Sequence, residues 1–95
     1  MNYDIFDWDD ANISHIAEHD VVPEEAEVVL LGEPMDLGFD VENGEERWSY
    51  VGETEEGRIL RVLITMRAPK MRVVTAFEAS RLQKTIYLAW KAGLS

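Results

Sequence analysis

Cysteine is absent from the sequence, which excludes a disulfide framework and any thiolate metal site and suits a reducing compartment. Absent too is any apolar run of membrane-spanning length, and the opening MNYDIFDWDD is acidic where a secretory signal would be basic and then apolar. A soluble, cytoplasmic chain with no membrane partner is the expectation. A length of 95 residues leaves room for one domain, 1–95, and too little for a second domain or the large substrate chamber of a peptidase. The most uneven shortage is of positive charge. Residues 1–46 contain 15 acids and no Lys or Arg, whereas residues 47–95 contain 4 acids and 9 bases. The halves carry −15 and +5 within a total of −10. The basic half can meet an anion, or the halves can neutralise one another across the fold; the negative total opposes strong non-specific binding of nucleic acid.

What is present organises into elements. Asp9 or Asp10 can cap a helix over about 10–19, with Ile13, Ile16 and Ala17 as its apolar stripe and Asn12, His15 and His19 on the neighbouring one. Pro23 opens a second helix whose acids Glu24, Glu25 and Glu27 favour its positive end, and Gly32 closes it before Pro34. From Met35 the period becomes that of strands separated by the turn stretches ENGEE (42–46) and ETEEG (53–57). RILRVLITMR (58–67) puts Leu60, Val62, Ile64 and Met66 on a core face and Arg61, Leu63, Thr65 and Arg67 on the other. The same alternation in MRVVTAF (71–77) groups Met71, Val73, Thr75 and Phe77 against Arg72, Val74 and Ala76, which brings Arg72 near Arg61 and predicts that Arg72 matters more to function than to folding. A last helix from about Glu78 to Lys91 carries Ala79, Leu82, Ile86 and Ala89 at helical spacing, with Tyr87 and Trp90 partly off that stripe. Two N-terminal helices, three to four antiparallel strands and a C-terminal helix make an α+β domain.

One short stretch looks like metal chemistry. HIAEH (15–19) has the H-x-x-E-H spacing with which inverzincin peptidases hold zinc. No third ligand stands at a defined spacing from His15 and His19, and no metal site is expected.

Three blocks carry a different likeness: FDWDDANISHIAEHDVVPEEAEVVL, RWSYVGETEEGRILRVLI and MRVVTAFEASRLQKTIY. In order and spacing, W-D-x-x-N-x-x-H-I-A-x-H, P-E-E, G-R-x-L and R-x-x-T-A resemble BrnT-type toxins, small ribonucleases of bacterial type II toxin-antitoxin pairs with a RelE-like fold. The resemblance covers about residues 5–88. It explains the zinc-like spelling, because the family pattern has H-I-A-x-H with a basic residue usually standing where this chain has Glu18.

The resemblance implies RNA cleavage without metal or cofactor, in which a ribose 2′-hydroxyl attacks the adjacent phosphate. Such a step needs a group to take a proton, one to give it, and cations for the charged phosphate. His19, helped by His15, fits proton transfer because imidazole titrates near neutrality as a residue type. Arg47, Arg58 and Arg72 match basic positions of the family, and guanidinium forks suit phosphate oxygens. With His15 and His19, Arg47 and Arg72 make up the expected catalytic set, and Arg58, Arg61, Arg67 and Lys70 the expected RNA contacts. An antitoxin protein is the implied partner, RNA the implied substrate, and self-association stays open. Two departures, Phe77 where the family usually has arginine and Glu18 beside His19, oppose binding of a polyanion and predict weakened catalysis. The competing expectation is a non-catalytic interaction module on the same fold, with these cations dispersed or tied up by the acidic half.

Overall fold

In a computed structural model the chain is described over residues 5–93. The order is α1 (Asp10–Ala17), α2 (Pro23–Leu31), β1 (Met35–Glu42), β2 (Glu45–Glu53), β3 (Ile59–Arg67), β4 (Lys70–Glu78) and α3 (Arg81–Lys91). The strands form one antiparallel sheet in the order β1-β2-β3-β4. The first hairpin follows from its turn chemistry. Asn43 and Gly44 both have positive φ (53° and 78°), which the tight twist-matched turn between β1 and β2 requires.

The helices start where the sequence supplies caps. Asp9 accepts from the amides of Ala11 and Asn12 at 3.0 and 3.2 Å, and Asn12 Oδ1 accepts from Asp9 N–H at 2.8 Å, a reciprocal capping box. Pro23 occupies the first turn of α2, where its missing N–H costs nothing, and Glu25 accepts from Val22 N–H at 3.1 Å. Ser80 caps α3. The first helix stops at Ala17, earlier than its periodicity predicts, and the chain turns through Asp20 at φ 58°.

One face of the sheet is the main interior. Leu60, Val62 and Ile64 of β3 and Val73 and Ala76 of β4 pack there against Ile16, Val21, Ala26 and Val29. The alternation expected for β3 holds from Leu60 to Ile64 and ends there, since Met66 is 48 % exposed and Thr65 is buried; that of β4 does not hold. Val74 is skipped between the pairs Ile64↔Val73 and Leu63↔Thr75, a bulge that reverses the pleat. Ala76 therefore enters the core and Thr75 and Phe77 join the face of Arg72, in place of the grouping that simple alternation predicts. Ile13 and Ala17 stay exposed; the buried residues of α1 are Ile16 and Asn12.

Among the described residues, a helix covers the opposite face at one end. Met35, Val51 and Ile59 pack there with Ala79 and Tyr87, so α3 buries Tyr87 and leaves Leu82 and Ile86 exposed, the reverse of the stripe expected for this helix. The open end of this face carries the cations: Arg47, Arg61, Arg67, Lys70 and Arg72 fall on it by register. At the β4 edge, Phe6 forms a parallel bridge with Met71, and amide bonds join Asp7 to Met71 and Met71 to Ile5 at 2.8 and 2.7 Å. The other edge, β1, has no strand beside it among the described residues. No helix among them is long and apolar enough to cross a membrane.

Candidate active site

The site is assembled by the attachment of α1 to β4. Asn12, 4 % exposed, donates both amide hydrogens to carbonyls, one to Asp7 at 3.0 Å and one to Val73 at 3.1 Å, while its oxygen closes the capping box. Both of its donors and its oxygen are thereby engaged, and the bond to Val73 ties α1 to β4. One turn further on, His15 Nε2 lies 3.0 Å from Thr75 Oγ1. Thr75 reaches the histidine only because the bulge at Val74 turns it to that face.

Below His15 is a cavity of about 210 Å³ lined by Asn12, His15, Glu45, Thr65, Arg67 and Arg72, among others. The structure therefore brings together three of the residues picked out from the sequence: His15, Arg67 and Arg72. His19, beyond the end of α1 and not among the residues lining this cavity, sits beside His15, its ring edge-on to that of His15 at 5.5 Å between centroids and tilted against Phe77 at 5.8 Å. Glu18 forms the C-cap of α1. The H-x-x-E-H stretch is thus not one continuous helical face, and among the described residues no three His, Asp or Glu side chains gather as metal ligands.

The other candidates are placed elsewhere. Arg47 and Arg61 line a second cavity on the same face, about 290 Å³, with Ser49 and Leu63, and Arg61 Nε donates to Ser49 Oγ at 2.9 Å. Lys70 pairs in register with Arg67 across the hairpin. Arg58 lies on the α2 side of the sheet, where Nη1 donates to both carboxylate oxygens of Glu25 at 3.0 Å and to the Asp20 carbonyl at 2.8 Å.

Carboxylates from the acidic half surround most of these cations. Arg72 directs Nη1 and Nη2 at the two oxygens of Asp9, both at 3.1 Å, and Nη1 also approaches Asp7 at 3.4 Å. The hydrogen bond from Arg72 is the leading reason that the Asp9 carboxyl is held below its usual range, and the same bond raises the Arg72 guanidinium. Arg47 meets Glu42 and Glu45 at 3.3 and 3.2 Å, and Arg67 meets Glu45 at 3.1 Å. A cleft containing His19, Arg47 and Arg72 together is not what forms; the grouping is His15 with Arg67 and Arg72.

Sequence reasoning passed over Thr75, Asn12, Ser49 and Glu45 as site residues. Thr75 and Asn12 stood inside the quoted blocks, and their side-chain hydrogen-bonding capacity was the available signal. Glu45 carried none, being one acid in a run of acids.

No curated protein matches the sequence. Residues 8–82 match the model of a family described as the ribonuclease toxin BrnT of the type II toxin-antitoxin system, membership that implies an antitoxin partner. The matched stretch contains both histidines, the bulged strand and the arginines of the open face, and the chain belongs to this family of BrnT ribonuclease toxins.

Proposed function

We propose that the protein cleaves single-stranded RNA without a metal ion or other cofactor, using the cavity beneath His15. The observation that carries this reading is the anchoring of the His15 ring by Thr75 over a cavity lined by Arg67 and Arg72. A phosphodiester seated against the arginines would place its charge beside guanidinium donors, where the additional charge of the transition state is stabilised. The ribose 2′-hydroxyl forms a bond to phosphorus and gives its proton to one imidazole. The bond from phosphorus to the 5′-oxygen breaks and the other imidazole protonates that oxygen, leaving a 2′,3′-cyclic phosphate. His15, engaged through Nε2, retains Nδ1 for this exchange, and His19 is the second imidazole within reach.

Activity is expected to be low. Phe77 stands opposite Arg61 in register and against His19, so the arginine usual in the family is missing next to the site, and Asp7 and Asp9 share the charge of Arg72. A RelE-like relationship, single-domain organisation, bacterial cytoplasmic action and restraint by an antitoxin belong to the same proposal.

The test is cleavage of a single-stranded oligoribonucleotide in EDTA at low salt, because phosphate binding is screened as salt rises. Slow cleavage yielding cyclic phosphate ends is expected, lost on 2′-deoxy substitution at the cut. His15→Ala should lower the rate by about a hundredfold or more, and the double variant Glu18→Arg, Phe77→Arg should raise it by about tenfold or more. Thr75→Val should lower kcat with little change in KM. No cleavage by the wild type or by the folded double variant would instead favour an interaction module, the reading that the ion pairs on Arg47, Arg58 and Arg72 support.

A further inference from the structure

The carboxylate of Glu45 stands where an external anion would fit. One of its oxygens accepts from Arg47 Nε at 3.2 Å and the other from Arg67 Nη2 at 3.1 Å. Two guanidinium groups on neighbouring strands thus converge on the two oxygens of one group. A phosphodiester presents its two non-bridging oxygens in the same way, and guanidinium geometry matches either. Glu45 also lines the cavity of His15 and Arg72, so the bridged position adjoins the proposed point of cleavage.

We infer that Arg47 and Arg67 form a binding site for a backbone phosphate of RNA and that Glu45 is its built-in occupant, displaced when the nucleic acid arrives. The identity of the ligand rests on the ribonuclease reading above. Three features support displacement. Glu45 is the first residue of β2, directly after the Asn43–Gly44 turn, so a change of side-chain rotamer lifts the carboxylate away without breaking the ladder. Its side chain is already 30 % exposed. The arginines, the Arg67 hydrogen bond foremost, hold its carboxyl below the usual range, so at neutral pH it is ionised and competes as an anion. Glu42 provides the comparison: it also meets Arg47, but with 60 % exposure and without reaching Arg67 or the cavity.

The experiment is binding of a fluorescent single-stranded oligoribonucleotide, fully 2′-O-methylated to prevent cutting, to the wild type, Glu45→Gln and Glu42→Gln at low ionic strength. Glu45→Gln should bind about tenfold more tightly than the wild type, Glu42→Gln within about twofold of it, and adding Arg67→Gln to Glu45→Gln should abolish the gain. Since loss of Glu45 can loosen the hairpin, a second measurement uses the wild type alone: titration with the oligonucleotide should shift the Glu45 side-chain carboxyl resonance in carbon NMR. A folded Glu45→Gln that binds no more tightly than Glu42→Gln, or a Glu45 resonance unmoved at saturation, would overturn the inference. These readouts do not involve cleavage. If the wild type cuts RNA but Glu45→Gln gains no affinity, this inference alone falls; if Glu45→Gln gains affinity but nothing cuts, the ribonuclease reading alone falls.

Discussion

Arg72 directs its guanidinium at the residue that caps α1. Asp9 binds the first amides of the helix and also receives the arginine fork, while Asp7, in the segment bridged to β4, receives a further contact. Substitution at Arg72 therefore loosens the attachment of α1 as well as any phosphate contact, contrary to what strand alternation alone suggests. Arg72→Ala should lower the melting temperature by about 4 °C or more, the size expected for losing one good pair in a chain of this length, and Arg72→Lys, which keeps the charge but not the fork, should fall between. Circular dichroism melts decide this, and an unchanged midpoint for Arg72→Ala would return the residue to a purely functional role. The histidine pair was legible from its spacing. Which ring lies over the cavity was not, because that depends on α1 ending at Ala17 and the chain turning at Asp20, which places His19 against Phe77.

Among the elements, β3 and the helix starts could be read because their signals are local: alternating side chains, Asp9, Pro23 and the glycine turns. The bulge in β4 left no such signal, since Val73 and Val74 suit either face equally. It nevertheless decides whether Thr75 faces the core or His15. The orientation of α3 was illegible for a related reason: apolar residues occur on two sides of this helix, and periodicity cannot choose between Leu82 with Ile86 and Tyr87. The small patch of Met35, Val51 and Ile59 and the bond from Tyr87 to Glu53 at 3.2 Å select Tyr87. Between α2 and β2 the contact is closer than any pattern reveals. A Cβ at Gly52 would come 2.9 Å from Val29 Cγ1 and 3.4 Å from Pro34 Cβ. Gly52→Ala should therefore cost about 1–3 kcal/mol, as overpacking does, measured as a lower urea midpoint with an unaltered slope. A midpoint equal to that of the wild type would mean that α2 moves freely on the sheet.

Across the whole molecule, the acidic first half serves to neutralise the basic second half: Arg47, Arg58, Arg67 and Arg72 all meet carboxylates from residues before 47. Two pH effects of opposite sign follow. Asp9, Glu45, Glu53 and Glu78 are each held below the usual carboxylate range, foremost by hydrogen bonds from Arg72, Arg67, Lys91 and Lys84 respectively. Their folded values lie below the unfolded ones, so this stabilisation is present above about pH 4.5 and is lost as the pH falls through the folded values. Repulsion within a chain of net charge −10 instead weakens as the pH approaches the isoelectric point near 4.5. The melting temperature should hold or rise from pH 7 to about 5.5 and fall below about 4.5; a continued rise towards pH 3.5 would show that the ion pairs contribute little. The seating of α1 on β4 has a further consequence, for synthesis. His15 is made early and its partner Thr75 lies 60 positions later. Until the ribosome has released that last strand, a nascent chain carries both histidines with no arginine-lined cavity beneath them, so under the proposed function it should leave uncut the message from which it is being translated.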